Sequence, residues 1–161
     1  MATKFFTNKD DKTLIGKFEG IFTNTHVHYF DALVGFFRAS GYFRVRPLLN
    51  DVSKIRILVG IDVDHLISEA ARKGFEYNFN TDVTRDEFIA ELKSDIQNAE
   101  YKKNVEEGIL EFVNDIIDKK IEIKAHPSQK LHSKIYIFRP KNFNEHNSGS
   151  VITGSSNLSE S

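Results

Sequence analysis

At 161 residues the chain has the length of one ordinary domain, and a domain of about 150 residues buries roughly 68–70% of its unfolded surface, enough for a real core. Fourteen Phe and five Tyr, with no Trp and a single Met, exclude a low-complexity or disordered chain. A net charge of −1 excludes an overall positive field, so contact with nucleic acid requires a local patch; the lack of Cys excludes disulfides and thiolate metal sites and fits a reducing interior. No secretory leader and no stretch of roughly 18 apolar residues stands out, so a soluble, cytoplasmic protein without membrane contact is expected.

Residues 1–12 are polar and basic apart from Phe5 and Phe6 and form a lead-in arm. Thr13 to Asn24 is short and mixed, punctuated by Gly16 and Gly20, and suits a first strand or an irregular segment at the sheet edge. Val27 to Phe37 is apolar and aromatic and predicts a buried strand; Ala39-Ser40-Gly41 then turns the chain into a short helix from Tyr42 to Leu49, which Pro47 kinks or closes early. Lys54 to Val59 is a β-branched strand stopping at Gly60, with Asp62 or Asp64 as N-cap for a helix from Asp64 to Lys73 that Gly74 ends. Strand, helix, strand in this order predicts a parallel crossover.

Thr84 to Asp118 is helical, with Phe88, Leu92 and Ile96, then Ile109, Phe112, Val113 and Ile116, at core spacing. Thr84 and Glu87 form a capping box, and the polar stretch Tyr101 to Glu107 splits the region into two helices. Ile121 to Ala125 alternates as a strand, and Pro127 to Lys130 links it to a further strand, Leu131 to Phe138. A last strand, Val151 to Thr153, runs into the turn Gly154-Ser155-Ser156-Asn157. There is no internal repeat, so one domain over residues 1–161 is expected: α/β, a mixed sheet flanked by helices.

Chemistry concentrates at the end. Period-2 alternation puts His132 and Lys134 on one strand face, and the turn offers backbone N–H groups, the hydroxyls of Ser155 and Ser156 and the amide of Asn157. An imidazole, an ammonium and an amide thereby converge on one phosphate. The plainer readings are an exposed strand face and an ordinary tight turn. His26 and His28, two apart, fit a pair of metal ligands, but nothing completes a set with them, so a solvated or packed pair is preferred and no metal is expected. Asp62, Asp64 and His65 resemble a divalent-ion group that capping explains with fewer assumptions; His126 is read as a loop residue, and His146, in an Asn-rich loop, as one within approach of the site.

H-x-K (His132, Lys134) followed by G-S-x-N (Gly154, Ser155, Asn157) resembles the phospholipase D superfamily. Phe30 to Phe37, Ala39 to Phe43 and Ile55 to Gly60 are similar to the opening of the phospholipase D-like domains at the N-terminus of bacterial DEAD/DEAH-type helicases. The Asn-Leu-Ser-Glu-Ser ending reads like the start of a further segment, so a piece of a longer helicase-type protein is expected. The resemblance implies a metal-independent, cofactor-free phosphodiesterase or nuclease acting on DNA through a phosphohistidine on His132. Lys134, Ser155, Ser156 and Asn157 would bind phosphate, and a second His would come from a two-fold partner or from sequence beyond Ser161. The family motif has an Asp where this chain has Arg139, which leaves nothing evident to fix the His132 tautomer; Glu145, Glu122 or an acidic residue beyond Ser161 would have to substitute. A catalytically degenerate domain that binds nucleic acid or mediates dimerisation is the alternative, with a lipid phosphodiesterase behind both.

Overall fold

A computed structural model of the chain describes residues 13–63, 65–79, 90, 103–125 and 131–155. The arm at residues 1–12, Asp64, the capping box and first half of the long helical region, His126, Ser156 and Asn157 lie outside them. In order come α1 (Leu14–Asn24), β1 (Tyr29–Phe37), α2 (Ala39–Val45) with a 3-10 turn (Arg46–Leu49), β2 (Lys54–Val63) and α3 (His65–Phe79). They are followed by α4 (Lys103–Ile117), β3 (Ile121–Ala125), β4 (Ile135–Arg139) and β5 (Ser150–Thr153).

The five strands form one mixed sheet in the order β3-β2-β1-β4-β5. β1, β2 and β3 are parallel, while β4 runs antiparallel to both β1 and β5. The parallel pairs are joined through helices and the antiparallel pair β4–β5 through a loop, as the reach of each connection requires. The expected mixed α/β sheet is therefore present.

Period-2 alternation sorts the sheet into two faces. Phe30 and Ala32 on β1, Ile55 and Ile57 on β2, Tyr136 and Phe138 on β4 and Ile152 on β5 are buried together with the helices. Phe18 of α1 packs edge-on against Phe30, Tyr136 and Phe138, with ring centroids 5.6, 5.1 and 5.0 Å away. Phe112 of α4 meets Tyr42 of α2 in the same way at 5.2 Å. The opposite face carries Asp31, Leu33, Arg56, Leu58, Ile135, Ile137 and Val151, and the buried cluster of the described residues contains none of them. Among the described residues no helix is long and apolar enough to cross a membrane.

Three glycine-based expectations are corrected. Thr13 to Asn24 is a helix and not a strand: Thr13 caps it, its Oγ1 accepting from Gly16 N–H at 3.2 Å, and Leu14, Ile15, Phe18, Ile21 and Phe22 line its inner side. β2 passes through Gly60 to Val63, so Asp62 lies in the strand, paired with Phe36, and is not a cap. α3 continues through Gly74, where a Cβ would stand 2.9 Å from Ile116 Cγ2; that glycine lets α3 cross α4 closely and does not end the helix. α4 itself ends in a Schellman motif. Lys119 takes φ 56°, its N–H donates to Ile116 O and that of Lys120 to Asp115 O, turning the chain into β3.

Candidate functional site

The strand expected from Leu131 begins only at Ile135, so residues 131–134 form an unpaired lead-in to β4. Outside the ladder nothing imposes alternation: His132 and Ser133 are both exposed, while Lys134 is turned to the helix-covered side and 4% exposed. The two side chains thus differ in exposure, which the expected strand alternation does not convey. Lys134 Nζ instead donates to the main-chain carbonyl of His132 at 2.7 Å.

The register fixes what surrounds this lead-in. Ile135 pairs with Leu33 in the middle of β1 and with Thr153 at the end of β5, and the residues before it run on antiparallel toward the C-terminal end of β1. His132 and Lys134 therefore stand at the C-terminal ends of the parallel strands, the edge of an open α/β sheet where ligands bind. Gly154 N–H donates to Lys134 O at 3.2 Å, one step beyond the ladder, which sets the exposed Ser155 beside the lead-in. On the other side β2 inserts an extra residue between Val59 and Asp62, opposite Gly35. Beyond this bulge Phe37 is buried and Phe36 is only half-buried, its ring edge-on to the His132 imidazole at 6.4 Å. The guanidinium of Arg38 lies over the same Phe36 ring, 5.9 Å from its centroid.

Gly60, at the bulge, is the backbone condition for this arrangement. A Cβ there would fall 2.1 Å from the carbonyl oxygen of Leu131, so only glycine lets the lead-in pass.

Arg139 proves to be remote. It is five residues from Lys134, roughly 16 Å along a strand, and points to the opposite face. There its Nη2 donates to Asp31 Oδ2 at 2.9 Å and its guanidinium lies over the Tyr29 ring. Arg56 on the neighbouring strand holds the same carboxylate in a fork, at 2.6 and 2.8 Å. Partial burial pulls the Asp31 carboxyl upward, but the hydrogen bonds from Arg56 and Arg139 outweigh it and hold the group below its ordinary value. The link between Arg139 and the His132 tautomer is therefore corrected: a side chain at 139 faces away from His132, and this position ties β4 to β1.

Arg139→Asp, which restores the carboxylate of the family motif, is expected to set two carboxylates against each other and to cost about 1–3 kcal/mol without activating the site. The sign with pH follows from Asp31. A depressed carboxylate contributes stability above its unfolded value of about 3.9 and loses it as pH falls through the folded value, so the deficit of the variant should be full at pH 7 and close below about pH 4. Urea unfolding of both proteins across that range checks it.

The remaining candidates are dispersed. Glu122 lies on the outward face of β3, paired with Lys124 at 2.7 Å, and Glu145 and His146 pair with each other at 3.3 Å in the loop joining β4 to β5. That loop leaves the end of β4 away from His132, so neither side chain substitutes for the motif Asp and His146 does not approach the site. His28, with Ser53 Oγ 3.1 Å from its Nδ1, and the exposed His26 belong to the same far end. Among the described residues no group of three or more His, Cys, Asp or Glu gathers as a metal site. Clefts of about 440 Å³ beside Arg139 and about 560 Å³ over the outward face include neither His132 nor Lys134.

Phe36, Arg38 and Gly60 are site neighbours that sequence reasoning missed. Phe36 and Arg38 sit at the end of an apolar run and read as core and turn, and Gly60 reads as a strand stop; the one available signal was their position just before the α2 turn and at the end of β2. The chain matches no protein-family model and no curated protein at a significant level.

Proposed function

We propose that this chain is a phospholipase D-like phosphodiesterase domain acting on DNA without a metal, and that it serves as the N-terminal module of a helicase-type protein. One observation carries the reading: the lead-in bearing His132 and Lys134 is bonded to the turn bearing Gly154 and Ser155, through Gly154 N–H and Lys134 O, at the ligand-binding edge of the sheet. Two segments twenty residues apart in sequence, each carrying half of the motif, thus meet.

The chemistry follows from the residue types. A ring nitrogen of His132 attacks phosphorus while the bond to the leaving oxygen breaks, giving a phosphohistidine; water then attacks the same phosphorus and the P–N bond breaks. Lys134 Nζ has three donors, of which the His132 carbonyl takes one, and the others neutralise non-bridging oxygens, helped by the Ser155 hydroxyl. The leaving oxygen takes its proton from a second acid, a His from a two-fold partner or from chain outside the described residues.

The test is cleavage of labelled single- and double-stranded DNA in excess EDTA. Wild type is expected to cut and His132→Ala to cut slower by on the order of 10⁴-fold or more. The buried state of Lys134, bonded to a carbonyl of its own segment, favours a second reading, a degenerate domain that grips nucleic acid or dimerises. Retention of DNA without cutting by either protein would select that one.

A further inference from the structure

Given the reading above, on which this rests, we infer that Arg38 is a phosphate-binding residue of the site, holding a phosphate near the one at His132 and so selecting a polynucleotide over an isolated phosphodiester. The domain carries a net charge of −1, and Lys134 is buried and bonded to the His132 carbonyl. A polyanion therefore needs a further cation at this edge of the sheet. Arg38 is a cation that ring contacts connect to His132: its guanidinium lies 5.9 Å from the Phe36 centroid, and the same ring meets the imidazole at 6.4 Å.

The contact with the Phe36 ring restrains the long side chain, which lowers the entropy lost when it takes a ligand. A guanidinium has five donors in a planar fork and takes a phosphate on one edge in addition to its other interactions. Imidazole and guanidinium contact one and the same aromatic ring, and a strand, which carries a phosphate every ~3.4 Å of helix axis, spans from one to the other within a few nucleotides.

The experiment is fluorescence anisotropy of a labelled single-stranded oligonucleotide over a salt series, using wild type, Arg38→Gln, Arg38→Lys and, as control, Arg44→Gln at an exposed position of α2. Circular dichroism confirms that each variant is folded. Arg38→Gln is expected to weaken binding several-fold at low salt and to flatten the slope of log K against log salt by about 0.7, one phosphate contact on a single strand. Arg38→Lys should recover the slope but only part of the affinity, and Arg44→Gln should leave the slope unchanged. Equal slopes for wild type and Arg38→Gln, or an equal loss in Arg44→Gln, would overturn the role of Arg38 while leaving the nucleic-acid reading standing; no salt-dependent binding by wild type would overturn both.

Discussion

Asp115→Ala is expected to destabilise the domain by about 3–5 kcal/mol, a large part of the roughly 5–15 kcal/mol a domain holds in all. Asp115, on α4, is buried and accepts three hydrogen bonds: from Arg46 Nε at 2.6 Å and Nη2 at 2.9 Å, and from the Tyr42 hydroxyl at 3.0 Å. The fork is completed by Arg46 Nη1 donating to Asn50 Oδ1 at 2.6 Å. Removing the carboxylate strands a guanidinium and a phenol between α4 and the α2 region, where water does not replace the lost acceptor. Burial, followed by the Asp115 charge, pushes the Tyr42 phenol well above its ordinary value, so it remains a donor wherever the protein is folded. Tyr42→Phe, which removes one neutral donor, should cost only about 1 kcal/mol. Urea midpoints for the two variants check the ratio.

Gly60→Ala is the second large effect, and it falls on the site. The added methyl would meet the Leu131 carbonyl oxygen at 2.1 Å and its carbonyl carbon at 2.7 Å, and no side-chain rotation moves a backbone. The lead-in must shift, at about 1–3 kcal/mol or more. Because His132 is the next residue, DNA cleavage or binding should fall further than the unfolded fraction explains, measured well below the melting transition of the variant. Gly20→Ala is the matched control, since nothing lies within 4 Å of the added atom.

The strands were legible because their alternation reports burial directly: Ile121 to Ala125 appears as read, Lys54 to Val59 as the first part of a longer strand, and the parallel pairing of β1 with β2 follows from the helix between them. The sheet order was not. That β4 inserts beside β1 is a fact of long-range pairing, visible only when Leu33 and Ile135 are brought together. Glycine misled three times: at Gly60 and Gly74 because a residue that permits a turn equally permits close approach, and at Gly20, which has no close neighbour, because a helix tolerates an exposed glycine. At the candidate site the sequence drew attention to His132, Lys134 and the Gly154–Ser155 turn but overran the strand: a rule that holds inside a ladder was extended to residues 131–134, ahead of its start at Ile135. Arg139 read as a chemical loss, whereas its pairing with Asp31, a carboxylate that Arg56 also holds, makes it a tie across the outward face.

Among the described residues, the four of β5 are hydrogen-bonded to β4 alone, at the rim of the sheet, whereas β1 is laced on both sides. Rim strands exchange their amide hydrogens through local opening, and central ones only when the whole domain unfolds. Half of the proposed phosphate cradle thus hangs from the strand that frays first, while the other half is anchored to β1. Occupancy of the cradle would then act as a latch, slowing deuterium uptake along residues 150–154 while leaving that of β1 unchanged.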